Sequence, residues 1–303
     1  MSRFHALLGA FLLASCGLPI EHPDFTGLPP TLQAKDFHCC ADPDRHPAWF
    51  TEVAMTMSEP LEPLFDPGPN SGYLSHDPRA MARIAAQAQP LDMLTLAAKS
   101  HLGSRFFSGW FTHTALYLGT EAQLREAGLW THPSIVPHHA EIRSGKIVIE
   151  GVATHVRLAT LDEILSQRDA AALIRTNLST RDKGRAASRA LSLLNYPFDY
   201  FFDLNTCDAF ACTEVLARAF PTLDFPIRTM QGYQVLLPDD VAAKAIRGEQ
   251  MRIVDYVEGN GTDWHAPGLE GAMYRIAAFW GPAPVGPVAA VTSSLDLAAC
   301  TPD

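Results

Sequence analysis

A run of short apolar segments between residues 90 and 222, each closed by a capping or chain-breaking residue, restricts the fold of this chain more than any other feature. Leu91-Asp92-Met93-Leu94-Thr95-Leu96 alternates in polarity as a half-buried strand does. Thr112 to Leu118 and Lys146 to Glu150 predict two more strands, and Thr154 to Leu158 extends or follows the second across Gly151. Thr160 followed by Glu163 has the form of a capping box, in which each side chain satisfies a free amide of the first turn. It predicts a helix from Leu161 to about Gln167. Ala171 to Arg175 is a short buried strand, and Ser179 caps a longer helix whose Ala187, Ala190, Leu191 and Leu194 form one apolar stripe, closed by Pro197. A last helix spans about Cys212 to Phe220, with Val215, Leu216, Ala219 and Phe220 on one side and Pro221 as its stop. Strands followed by a helix, a strand and further helices point to an α+β fold.

The flanks read differently. Residues 17–85 are dense in proline, aspartate and glycine with little periodicity, which predicts a tether and an irregular wrapping segment. The folded body is expected over 86–258, and residues 259–303, rich in Gly, Pro and Ala with Trp264 and Trp280, form a C-terminal extension without a clear period. A chain of 303 residues with 47% hydrophobic residues buries one sizeable core, so one domain with extensions is expected. The net charge of -10 comes without any basic stripe that could track phosphates, so nucleic acid is not an expected partner. Beyond the N-terminus no apolar stretch reaches the roughly 18 to 20 residues that span a bilayer.

Residues 1–16 read as an address. Arg3 gives a positive start, Ala6 to Leu13 an apolar core, and Leu13-Ala14-Ser15-Cys16 resembles a bacterial lipobox. Such a signal is cut before the cysteine, which is then acylated and anchored in membrane by several chains. The competing reading is an ordinary secretory signal with Cys16 incidental, and a buried helix comes third. Gly17, rather than Asp, after the cysteine fits the outer membrane of a Gram-negative cell, on its periplasmic side, by the same resemblance. Export lets cysteines pair: setting aside Cys16 and Cys212 leaves Cys39, Cys40, Cys207 and Cys300, with Cys39 and Cys40 expected to reach different partners rather than each other.

Cys212 is the residue best placed for chemistry. A thiolate is favoured at a helix N-terminus, where unpaired amides and the helix dipole stabilise the anion, and beside an imidazolium. Phe210-Ala211-Cys212-Thr213-Glu214 places the thiol where loop becomes helix. A small buried thiol is the commoner fate of such a residue. His113 opens an otherwise apolar strand, where a ring at the strand edge can face a cleft and act as base, although a lone strand histidine is more often a satisfied rim residue. Glu150 ends the run Ile147-Val148-Ile149, expected beside the histidine strand, and is the natural acceptor to orient His113, where a solvated carboxylate is the bland alternative. Cys207 is a rival thiol, but it sits in a loop without a helix start. Metal binding competes, because His38, Cys39, Cys40, Asp42, Asp44 and His46 crowd together and His132, His138 and His139 form a second group. Adjacent cysteines fit zinc spacings poorly, and no metal is expected.

Three segments carry a family resemblance. Leu91 to Gly119, ending in FTHTALYLG, resembles the histidine-bearing segment of YiiX-like proteins, the circularly permuted relatives of NlpC-type peptidases. KIVIEG with HVRLATLDEIL resembles their acidic strand and following helix, and NYPFDYFFD with FACTEVLARAF resembles their Tyr-Asp segment and Cys-Ser-Glu-Leu motif. Here Thr213 replaces Ser, Val215 replaces Leu, and Phe198 stands where Tyr often precedes the aspartate, so that Tyr196 or Tyr200 would have to supply an aromatic hydroxyl. The resemblance covers residues 88–222 and implies a permuted papain-like fold, an antiparallel sheet packed against helices. It implies a thiol hydrolase of amidase or peptidase type with Cys212 as nucleophile, His113 as general base and Glu150 as orienter, without cofactor, acting on peptide or acyl substrates of the cell envelope. A lipid acyltransferase or phospholipase on the same fold, and a non-catalytic envelope-binding lipoprotein, stay open as alternatives.

Overall fold

The computed structural model describes residues 33–40, 56, 68–101, 104 and 109–280. The expectations for Cys16 and the signal, for Cys300, and for Asp42, Asp44 and His46 lie outside these residues. The chain runs α1 (Pro78–Gln87), β1 (Asp92–Ala97), β2 (His113–Tyr117), α2 (Glu121–Glu126), α3 (His139–Arg143), β3 (Lys146–Gly151), β4 (Val156–Thr160), α4 (Leu161–Ser166), β5 (Ala170–Thr176) and α5 (Thr180–Ser192). It continues through α6 (Cys212–Ala219), β6 (Arg228–Met230), β7 (Tyr233–Val235), α7 (Pro238–Arg247), β8 (Met251–Gly259), β9 (Trp264–His265) and α8 (Gly268–Trp280). Seven strands form one antiparallel sheet in the order β4-β3-β2-β1-β5-β8-β9, and β6 pairs with β7 as a separate hairpin.

Helices cover both faces of the sheet, which is why its central strands are buried on both sides. Alternation sends Met93 and Leu116 into a large cluster with Ala187 of α5, Leu216 of α6, Val241 of α7 and Ile276 of α8. Leu94, Leu96, Ala115, Tyr117 and Val148 point the other way, against Ala80 and Ile84 of α1 and Ile164 and Leu165 of α4. Each fully buried Leu or Ile contributes about 1.5–3 kcal/mol of hydrophobic stabilisation, so the two clusters hold the sheet rigid between them.

The strands and helices expected between 90 and 222 are all present, with the helix caps built as the sequence indicates. Ser179 Oγ accepts from the Asp182 amide at 3.2 Å, and Thr160 Oγ1 accepts from the Glu163 amide at 3.1 Å. Only half of the Thr160 box forms as a cap, because the Glu163 carboxylate turns to Arg157 instead, 2.8 Å away. The flanks hold more structure than their composition suggests. Residues 264–265 add an edge strand and 268–280 form α8, whose Ala272, Met273 and Ile276 are buried in the main core. Phe37, Cys39 and Cys40, from the segment read as irregular, are buried there too.

The pairing of Cys39 and Cys40 corrects the sequence expectation: they are joined to each other. Cys40 takes φ of 65°, in the left-handed region that turns the chain sharply enough to bring neighbouring sulfurs together. Among the described residues one further group could in principle hold a cation, the two sulfurs with Asp240. Both Asp240 oxygens are already taken by Arg228, at 2.7 Å each, and that guanidinium opposes a metal ion there.

Candidate active site

The site forms where the sheet opens. β2 and β3 pair only through Leu116 with Ile149 and Tyr117 with Val148, so the start of β2 and the end of β3 part from each other. The N-terminus of α6 enters this gap from one face. It comes so close that a Cβ on Gly151 would lie 3.1 Å from the Cys212 nitrogen and 3.1 Å from the Phe210 carbonyl oxygen, so any side chain at the end of β3 would press on that backbone. His113 and Glu150, in step with Ala115 and Val148, belong to the opposite face of the sheet, and the gap lets the thiol meet them.

His113 Nε2 lies 2.8 Å from Glu150 Oε2, which leaves Nδ1 for sulfur, and the imidazole and the Cys212 thiol stand close enough to act on each other's charge. Burial alone would push the Cys212 thiol up, but the charge and hydrogen bond of His113 and the Thr114 amide hold it below the usual thiol range. Burial likewise pushes His113 down, and attraction to Cys212 with the hydrogen bonds to Cys212 and Glu150 overrides it, so the ring titrates above its ordinary value. These two shifts favour a thiolate–imidazolium pair. Against its own burial, Glu150 is held at about 2 by His113, Arg168 and Arg157, so it stays ionised.

Cys212, His113 and Glu150 are therefore brought together, and Cys212 is the free cysteine among the described residues. Cys207 is disulfide-bonded, which removes the rival thiol. Two histidines of the second candidate metal group have other employment: His139 stacks on Trp130 with ring centroids 3.5 Å apart and bonds the Trp130 carbonyl at 2.9 Å, and His132 Nδ1 accepts from the Ser134 amide at 3.4 Å. Of the aromatic hydroxyls, Tyr200 bonds the Ala153 carbonyl in the β3–β4 turn, while Tyr196 packs edge-on against Phe210.

Two supports of the site escaped the sequence reading. Arg157 lies directly across the β3–β4 hairpin from Glu150 and donates to its Oε1 from Nε at 3.1 Å and from the terminal nitrogen at 2.8 Å. Centring a hairpin on residues 153–154 would have placed these two opposite each other. Glu214, in the first turn of α6, reaches back to the Ala211 amide at 3.0 Å and faces Asp199. Burial and the neighbouring Asp199 carboxylate push Glu214 far above the usual carboxylate range, so it is neutral and adds no negative charge beside the thiolate. Asp199 is itself held by the amides of Phe201 at 2.8 Å and Asp203 at 2.7 Å.

The family model described as permuted papain-like amidase enzyme, YaeF/YiiX, C92 family, matches residues 88–261, more than half of the chain. That span takes in the whole constellation and every strand of the sheet except β9. No curated protein and no solved structure gives a significant match.

Proposed function

Because the chain belongs to the permuted papain-like amidase family of YaeF and YiiX, we propose that it is a cysteine hydrolase working through a thioacyl-enzyme on Cys212. The observation that carries this reading is the free thiol at the start of α6, beside a histidine whose Nε2 is held by a buried, ionised carboxylate. The Cys212 thiolate attacks the carbonyl carbon, and the first-turn amide of Cys212, which has no intrahelical partner, can receive the developing oxyanion. The C–N bond breaks as the His113 imidazolium protonates the leaving amine. Neutral His113 then takes a proton from water, whose oxygen attacks the thioester; the C–S bond breaks, the acid is released, and the thiolate–imidazolium pair is restored. Glu150 fixes the ring orientation and stabilises its charge. These steps use no cofactor.

The substrate proposed is a cell-wall peptide, and the location the cell envelope, reached through lipid on Cys16. Disulfides at Cys39–Cys40 and at Cys207 support an oxidising compartment, where such bonds persist. Labelling with iodoacetamide near neutral pH tests the catalytic pair: Cys212 in the wild type should react much faster than a free thiol, and His113→Ala should lose that advantage. Equal rates for wild type, His113→Ala and a free thiol would end the reading. Incubation with muropeptides and, separately, with phospholipids tests the substrate: release of peptide fragments supports the amidase, and turnover of lipid alone overturns it.

A further inference from the structure

Arg168 lies in the short link between α4 and β5, on the same end of the sheet as the thiol, and its main chain is fixed on both sides. Its amide donates to the Leu165 carbonyl at 3.0 Å and its carbonyl accepts from the Leu74 amide at 2.9 Å. A Cβ on Gly72 would collide with the Arg168 backbone, so the two segments are packed tightly together. The next residue, Asp169, is buried. Its amide donates to the Ala97 carbonyl at 2.7 Å, and its carboxylate accepts from the Tyr73 amide at 3.1 Å, the Ser100 amide at 2.7 Å and the Ser100 hydroxyl at 2.6 Å. Ala97 follows Leu96, the residue opposite His113 in the sheet. The side chain of Arg168 is thus launched from a rigid platform close to the catalytic histidine.

Its guanidinium has no hydrogen bond and no ion pair among the described residues, and its Nε is shielded from solvent without a partner. The half-buried arginines elsewhere on the sheet behave otherwise. Arg157 meets Glu150, Arg175 meets Asp92, Arg228 meets Asp240 and Arg275 meets Glu258, all within 2.9 Å. A partly desolvated cation left without an acceptor is costly, and buried donors in native structures nearly always have a partner. The groups that Arg168 feels are those of the site: it is attracted to Glu150, Cys212 and Asp169 and repelled by Arg157. Glu150 is already committed to His113 and Arg157, and Asp169 to three donors, so neither is free to serve as a full partner.

We propose that Arg168 binds a carboxylate of the substrate, so that the site selects amides carrying a free carboxylate next to the scissile carbonyl. The guanidinium fork suits one carboxylate with two parallel hydrogen bonds, and a single unpaired guanidinium matches a single negative charge. The inference rests on Cys212 being the nucleophile. It deepens that reading by naming the charge that the substrate brings to the site.

A pair of small alkylating reagents tests it without knowledge of the substrate. Iodoacetate and iodoacetamide both transfer a two-carbon unit to sulfur with loss of iodide, and differ in carrying a carboxylate or a neutral amide. Because both react with the thiolate, the ratio of their rates cancels any change in its abundance. The wild type should favour iodoacetate relative to N-acetylcysteine, and Arg168→Gln should lower the iodoacetate-to-iodoacetamide ratio about tenfold, whatever it does to the abundance of the thiolate. Arg168→Lys, which keeps the charge and guards against misfolding of the glutamine variant, should retain part of the preference. Fast iodoacetamide labelling with a ratio that neither variant moves would overturn the role of Arg168 and leave the nucleophile intact. A thiol slow toward both reagents would overturn the nucleophile, and this inference with it.

Discussion

Two cysteine sites in this molecule are built from similar parts and end in opposite chemistry. Cys39 and Cys40 are buried beside an aspartate whose carboxylate is held by an arginine, Asp240 with Arg228. Cys212 is buried beside a glutamate whose carboxylate is held by an arginine, Glu150 with Arg157. In the first the sulfurs are consumed by each other. In the second an imidazole stands between carboxylate and sulfur, and the thiol occupies the first turn of a helix. Burial and a neighbouring ion pair are therefore shared by both sites and do not set the proposed nucleophile apart. The intervening imidazole and the helix N-terminus do.

The sharpest way to break this contrast is to remove the sulfur from each site in turn. Cys212→Ala should abolish both hydrolysis and fast alkylation with the fold retained by circular dichroism, whereas the double change Cys39→Ser, Cys40→Ser should leave the Cys212 labelling rate within about twofold and instead lower thermal stability. Removing the base should convert one site toward the other. His113→Ala should slow labelling at pH 7 by about 30-fold or more, since an ordinary thiol of pKa near 8.5 is only about 3% thiolate there. The sign of the pH effect follows from the lowered thiol and raised imidazole: in the wild type labelling rises with pH through a midpoint below the usual thiol range, and in His113→Ala that midpoint moves upward.

Smaller changes should probe the supports. Gly151→Ala places a methyl group against the Phe210–Cys212 backbone and should cost about 1–3 kcal/mol as overpacking, read as a lower unfolding midpoint together with slower labelling. Arg157→Gln removes one cation that keeps Glu150 ionised. Glu150, held at about 2, contributes stability that is present above the ordinary carboxylate pKa and lost as pH falls toward 2, so this variant should begin to lose activity on acidification at a higher pH than the wild type. The mildest case is Glu214→Gln, which replaces a neutral carboxyl by a neutral amide and should alter labelling less than about twofold, although Glu214→Ala removes the bond to the Ala211 amide and should cost about 1 kcal/mol.

Where local physics governs, the sequence was readable. The strand around Leu94 shows in alternation and those around Leu116 and Ile149 as short apolar runs, while α5 shows in its cap and stripe and α6 in its stripe and proline stop. The segments that were not anticipated hide their pattern by burying charge. In α7 the residues Asp239, Asp240 and Lys244 are buried, so a helix deep in the core reads as polar. In β8 Asp255 pairs with Arg83 and Glu258 with Arg275, partners 172 and 17 residues away. No local window contains such pairs. The adjacent disulfide was misjudged for a different reason: it depends on one left-handed residue, Cys40, and no composition rule indicates it.

The sequence by itself determined the α+β character, the nucleophile candidate at a helix start, and a histidine and a glutamate on neighbouring strands, because propensity, capping and alternation act over a few residues. Only the tertiary structure decided that β2 and β3 part to admit α6, that Gly151 clears its path, that Arg157 locks Glu150, and that Cys207 is no rival. Those outcomes rest on register, close approach and electrostatics between segments far apart in the chain, and such terms take values only when the whole sheet is assembled.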